Sequence, residues 1–250
     1  MGRELRVVAD GQVSIGALAR RQTPVSEVHL YSADLDELSS SPCRDLITVG
    51  EVEQACRFPT ALLRQRFIGA RALTRAVLAS YVGGGASNLR FDRSCPDCGA
   101  QDGKPRLDSN AHPGSGTEFS VSRSGSLCLL AVSAGQVGVD VEVLRNLSSE
   151  AIATKEFSES EADYIRRLPS AARVKGFLEL WVRKEALAKA VGTGLTREML
   201  TTCVLGQPAQ VRLAEHGSWT VLDVRLGRQS RAAVAVRPHL QTIRVLTAVG

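Results

Sequence analysis

The run Val137-Gly138-Val139-Asp140-Val141-Glu142-Val143 constrains this chain more than any other stretch. Valine alternates with Gly, Asp and Glu, which is the period-two signature of a β-strand. Gly138, Asp140 and Glu142 therefore share one face and the valines share the other. Two carboxylates on one face of an apolar strand repel each other. A divalent cation relieves that repulsion, and hard oxygen donors suit Mg²⁺. The plainer alternative is a half-solvated strand whose polar face carries two acids.

Further along, Trp181-Val182-Arg183-Lys184-Glu185-Ala186-Leu187-Ala188-Lys189 reads as a helix. Phe177, Leu180, Leu187 and Val191 recur at roughly helical spacing, and Gly192 follows as a stop. Trp181, Glu185 and Lys189 fall at i, i+4 and i+8 and so share a face. Taken alone, Glu185 and Lys189 are an ordinary helical ion pair worth a few tenths of a kcal/mol.

In this order and at this separation the two stretches resemble the 4′-phosphopantetheinyl transferases of the surfactin-synthetase-activating type. That family carries a Gly-hydrophobic-Asp-x-Glu strand and then a Trp-x-x-Lys-Glu-Ala/Ser-x-x-Lys helix. Other segments extend the resemblance. Gly103-Lys104-Pro105 is similar to the family's Gly-Lys-Pro element at the adenine and phosphate end of coenzyme A. Phe119-Ser120-Val121-Ser122-Arg123-Ser124-Gly125 is similar to Phe-Asn-x-Ser-His-Ser-Gly, with Arg123 where the family has His. An Arg keeps a phosphate contact with a permanent charge, but it is no proton donor or acceptor near neutral pH. Gly192-Thr193-Gly194-Leu195 matches a Gly-x-Gly-Leu element after the helix.

The resemblance implies an α/β (α+β) fold with pseudo-twofold symmetry. Each of two lobes would carry a small antiparallel sheet and helices, over residues 1–130 and 131–250, with the cofactor cleft between them. It implies transfer of the phosphopantetheine arm of coenzyme A to a serine of an apo acyl or peptidyl carrier protein. Asp140, Glu142 and Glu185 would hold Mg²⁺, or Mn²⁺ in its place. Lys189 would contact a phosphate, with Lys184 in a similar role. Glu185, Lys189 and Asp140 form the implied catalytic set. Cofactor contacts are implied for Arg57, Arg66, Lys104, Pro105, Ser122, Arg123, Lys184 and Lys189. An acidic carrier protein, a monomeric state and a role in polyketide or nonribosomal peptide synthesis belong to the same implication. The arginine-rich composition and Cys-x-x-Cys-Gly before Gly-Lys-Pro look like actinobacterial members.

The rest of the chain reads from local rules. Val28-His29-Leu30-Tyr31 suggests a strand, and residues 1–25 a poorly ordered lead-in or an edge strand. Thr60 caps a long helix whose apolar stripe is Leu63, Phe67, Ala70, Leu73, Val77 and Tyr81, with Gly83-Gly84-Gly85 ending it. Ser158 and Glu161 form a capping box, and Pro169 ends the helix they open. Strands follow at 219–225 and 231–236, pairing antiparallel, with room for one more at 240–250.

Six cysteines are present. Cys128 sits in an apolar run and reads as a core thiol. Cys95-Pro96-Asp97-Cys98 is a zinc half-site, a redox pair or a plain turn. No apolar run is long enough to cross a bilayer and no apolar stretch follows the charged N-terminus, so a cytoplasmic protein is expected. The net charge of +5 suits nucleic acid, an anionic cofactor or an acidic partner. Aromatic residues make up only 4% and no basic patch is interleaved with them, so stacking on single strands is disfavoured. Two rival readings stand beside the transferase: a basic nucleic-acid-binding protein, supported by charge alone, and a family member that binds without catalysing.

Overall fold

A computed structural model describes residues 6–23, 25–38, 43–94, 99, 103–144, 157–240 and 242–250. Cys95 and Cys98 lie outside the described residues. Two helices of 22 residues, α2 (Ala61–Val82) and α4 (Ser170–Val191), each lie on a sheet. The first sheet takes β1 (Arg6–Ser14), β11 (Thr242–Val249), β2 (Glu27–Asp34), β6 (Leu127–Ser133) and β5 (Glu118–Ser124), in that spatial order. The second takes β7 (Val137–Val143), β10 (Ser230–Val236), β9 (Gly217–Val224) and β8 (Ala209–Leu213), antiparallel throughout. A small pair, β3 (Phe91–Asp92) with β4 (Arg106–Leu107), bridges the intervening loops.

Strand periodicity explains the layering. Alternate residues of the first sheet, among them Tyr31, Leu130 and Val132, meet Phe67, Leu73 and Val77 of α2. The residues between them, Leu30, Leu129 and Ala131, turn to the second sheet and pack on Val137, Val139 and Val141. The outer face of the second sheet, with Trp219, Val221 and Ala233, meets Leu180, Val182 and Leu187 of α4. The order is helix, sheet, sheet, helix. Each side chain of this kind contributes about 1.5–3 kcal/mol by leaving water. Cys128 is fully enclosed, and burial pushes its thiol up to about 12.

Local signals worked as expected at the helix ends. The Thr60 hydroxyl accepts the Leu63 N–H at 3.2 Å, and Gly83 closes α2 at φ +91°. Ser158 and Glu161 make the capping box of α3 (Glu159–Arg167), and Pro169 separates it from α4. The region 1–25 does supply an edge strand, β1.

Two expectations are corrected. The first sheet is mixed, because β11 runs parallel to both β1 and β2. The sheets also do not divide at 130/131: β6 straddles that point, and β11 returns from the end of the chain to the first sheet. The cause is topological. The chain leaves the second sheet at Val236 and re-enters the first between two strands already running in its direction.

Candidate active site

Strand β7 is the edge of the second sheet, and its polar face lies under α4. Gly138 is what allows this. A Cβ there would stand 2.0 Å from the Ala186 carbonyl oxygen and 2.3 Å from the Ala190 nitrogen. With no side chain at Gly138, the helix backbone rests almost directly on the strand. Glu185 and Lys189, which flank these alanines, are thereby brought beside Asp140.

Asp140 is 3% exposed. Its Oδ1 accepts from Lys189 Nζ at 2.6 Å and from the Ser122 hydroxyl at 2.7 Å. Its Oδ2 is buried with no partner among the described residues. Glu142 accepts from the Ser124 hydroxyl at 2.7 Å. Burial raises Glu185 above the usual carboxylate range, and the charges of Asp140 and Glu142 add to this while Lys189 opposes it. These donors are hard oxygens, of the kind a Mg²⁺-sized cation takes. Among the described residues, however, no three acidic, His or Cys side chains converge closely enough to coordinate an ion in this arrangement. The Lys189 ammonium occupies the cationic place on Asp140 instead.

A cavity of about 470 Å³ opens from this point between α4 and the β5 and Lys104 segments. Glu185 and Lys189 line one wall, Lys104, Pro105 and Arg93 the other. Lys104 Nζ donates to the Val137 carbonyl at 3.0 Å and lies 3.7 Å from Glu118. Burial lowers its pKa, partly offset by Glu118. The loop that carries Lys104 is therefore pinned to the start of β7.

Other expected residues sit differently. Ser122 accepts the Val141 N–H at 3.3 Å and Lys189 at 3.0 Å while donating to Asp140, so its one donor and two acceptor sites are used and a phosphate finds none free. Lys184 is fully buried away from the cavity. Its ammonium bonds the Leu200 and Thr202 carbonyls at 2.8 and 2.7 Å and pairs with Glu161 at 2.9 Å. It thus caps the end of helix α5 (Arg197–Thr201) and is no phosphate ligand. Arg66 forms a two-pronged pair with Asp36, both bonds 2.7 Å. Arg57 is exposed at the end of α1 (Val49–Cys56).

Arg123 is exposed on β5, with its guanidinium 6.0 Å from the Phe67 ring centre. Beside it stands Arg71, which sequence reasoning passed over. Arg71 Nε is buried without a hydrogen bond among the described residues. Its pKa is lowered by burial first; Glu51 opposes that, and Arg93, Arg123 and Arg75 repel its charge. Glu51 lies 2.7 Å from Arg75 but 3.8 Å from Arg71, so one carboxylate serves two guanidiniums unequally. Arg71, Arg93 and Arg123 form a cationic group, of which Arg93 lines the cavity. No linear spacing signals it, since the three come from α2, a loop and β5.

With Arg93, Lys104 and Lys189 on its walls, the cavity offers cationic groups to an anionic ligand. The comparisons with known proteins agree. Residues 136–239 match the model of the 4′-phosphopantetheinyl transferase superfamily. The 4′-phosphopantetheinyl transferase HetI of Nostoc sp. is 33% identical over 217 residues, covering 84% of this chain and 87% of the relative. The 4′-phosphopantetheinyl transferase gsp of Aneurinibacillus migulanus is 32% identical over 93 residues, 37% of this chain and 36% of the relative. A putative 4′-phosphopantetheinyl transferase of Synechocystis sp. is 29% identical over 153 residues, 60% of this chain and 59% of the relative. The chain belongs to the 4′-phosphopantetheinyl transferase superfamily. It is a transferase that takes phosphopantetheine from coenzyme A to carrier proteins. Among the described residues no helix is long and apolar enough to cross a membrane.

Proposed function

We propose that the transfer takes place in the cleft between the lobes, with Mg²⁺, or Mn²⁺ in its place, held by Asp140, Glu142 and Glu185. The observation that carries this reading is Asp140. One of its oxygens is committed to Ser122 and Lys189, while the other is buried without a partner among the described residues. An unpaired buried carboxylate oxygen is costly, and a cation at that point would offset the cost. When bound, the metal would neutralise charge on the pyrophosphate of coenzyme A.

The chain's own residues do the rest. Lys189 leaves Asp140 for the phosphate and stabilises the departing oxygen. Glu185 accepts the proton of the carrier's serine, directly or through water. The serine oxygen bonds to the phosphorus of the phosphopantetheine as that phosphorus loses its bridging oxygen. Adenosine 3′,5′-bisphosphate departs. Lys104 and Pro105 flank the cofactor. Arg123, together with Arg71 and Arg93, takes the 3′-phosphate, which supplies the anion that group of guanidiniums lacks. Arg57, Arg66, Ser122 and Lys184 have no direct part in this reading.

We assign the chain to the surfactin-synthetase-activating type, acting as a cytoplasmic monomer on polyketide or nonribosomal peptide carrier proteins of an actinobacterium. Its net charge of +5 suits an acidic carrier protein. Intact-mass spectrometry of an apo carrier protein tests the whole reading. Incubation with the chain, coenzyme A and Mg²⁺ should add the mass of the phosphopantetheine arm, and EDTA or Glu185→Gln should abolish the gain. A gain that persists in EDTA would refute the metal, and no gain with any acyl or peptidyl carrier protein would refute the assignment.

A further inference from the structure

Strands β5 and β7 are edges of different sheets, and no backbone ladder joins them. Three serines join them instead. Ser120, Ser122 and Ser124 lie on one face of β5. Their hydroxyl oxygens accept the N–H groups of Val139, Val141 and Val143 at 3.1, 3.3 and 3.0 Å. The seam satisfies every second N–H of an edge strand that would otherwise be left buried and unpaired.

A hydroxyl that accepts a fixed N–H has its oxygen held in place, and its own hydrogen must find an acceptor. In Ser122 that acceptor is Asp140. In Ser124 it is Glu142 Oε2 at 2.7 Å. Ser120 is hydrogen-bonded to no carboxylate among the described residues. Glu142 is half-buried near the end of β7, its side chain has three rotatable bonds, and Ser124 is its hydrogen-bond partner among the described residues. The charge-assisted bond selects one rotamer and leaves Oε1 uncommitted.

We propose that Ser124 is a positioning residue: the hydroxyl, locked by the Val143 N–H, holds the Glu142 carboxylate in the orientation that binds the divalent cation. The inference rests on the metal reading of Glu142 given above. It makes the first lobe a contributor to the metal site through β5, although all three acids belong to β7 and α4. Alignment of the two lobes along the seam therefore sets the carboxylate geometry.

Mn²⁺ titration of the full chain in the presence of coenzyme A, followed by the electron paramagnetic resonance signal of free Mn²⁺, tests it. Ser124→Ala should weaken Mn²⁺ binding by about tenfold or more, the usual effect of removing a partner of a metal ligand. Its coenzyme A affinity measured in EDTA should stay unchanged. Ser124→Thr, which keeps the hydroxyl, should restore Mn²⁺ affinity. Ser120→Ala removes one rung of the seam without touching a carboxylate and should bind Mn²⁺ as the wild type does. Wild-type Mn²⁺ affinity in Ser124→Ala, or equal weakening in Ser120→Ala, would overturn the positioning role while leaving the metal site standing. Absence of Mn²⁺ binding by the wild type would instead overturn the metal reading and this inference with it.

Discussion

Replacing Gly138 by alanine tests how closely α4 rides on β7 and whether that closeness sets the chemistry. The added Cβ would lie 2.0 Å from the Ala186 oxygen and 2.3 Å from the Ala190 nitrogen, where ordinary contact begins near 3.4 Å. Both obstacles are main-chain atoms, so no side chain can rotate to make room. The helix has to lift by about 1.4 Å, as judged from the closer contact. Overpacking of this kind costs about 1–3 kcal/mol, and a rigid backbone obstacle puts the expectation at the upper end. For a chain of this size each kcal/mol moves the midpoint by roughly 2–4 °C, so Tm should fall by roughly 6–12 °C. The lift also carries Glu185 and Lys189 away from Asp140, which Lys189 now meets at 2.6 Å. A misplacement of about 1 Å can cost on the order of 100-fold in rate. Thermal unfolding by circular dichroism reads the first effect. Steady-state labelling of an apo carrier protein with a fluorescent coenzyme A, at a temperature where the variant is folded, reads the second. An unchanged Tm together with unchanged kcat/KM would refute the reasoning, because the helix would not then be seated on the glycine.

Three further outcomes are expected. Lys184→Met should cost about 3–5 kcal/mol in urea unfolding, because it strands the buried Glu161 carboxylate. Adding Glu161→Gln should recover part of that loss, and coenzyme A affinity should stay unchanged; a selective loss of that affinity would return Lys184 to the cofactor site. Arg71→Ala should raise KM for coenzyme A by about 10–100-fold, the worth of a charged hydrogen bond, and leave KM for 3′-dephospho-coenzyme A unchanged. Equal effects on both substrates would exclude Arg71 from the 3′-phosphate. His29 is held below its usual pKa by burial first and by Arg21 and Arg244 next, with Glu27 opposing, and its ring bonds Tyr81 at 2.6 Å. The unfolded chain then binds the proton more readily than the folded one, so stability should fall as pH drops below about 6.5. His29→Gln should flatten that slope, and an equal slope in both proteins would refute the assignment.

The parts of the site that proved legible were those governed by one element's own period. Alternation along 137–143 put Gly138, Asp140 and Glu142 on one face, and they are together under α4. Spacing along α4 put Glu185 and Lys189 on one stripe, and both line the cavity. Thr60, Ser158 and Glu161 cap helices as local hydrogen bonding requires. The arginines fared worst. Arg66 was chosen by its place in a resemblance, yet Asp36 claims it across a separation of 30 residues. Arg71 was passed over because its neighbours Arg93 and Arg123 lie far away along the chain.

Sequence by itself determined the two long helices, most strands with their buried faces, and the family. Tertiary structure decided which of those residues meet. Lys184 and Lys189 differ by five positions on one helix. One is enclosed under α5 and the other faces the cleft, because different elements cover the two sides. Ser122 looked like a cofactor contact until β7 was placed beside it. The strand at 242–249 looked like an addition to the second half until it entered the first sheet. The physical reason is common to all three. Backbone periodicity is a local property and tells which side chains share a face; what covers that face depends on contacts between segments distant in sequence, made only when the chain folds.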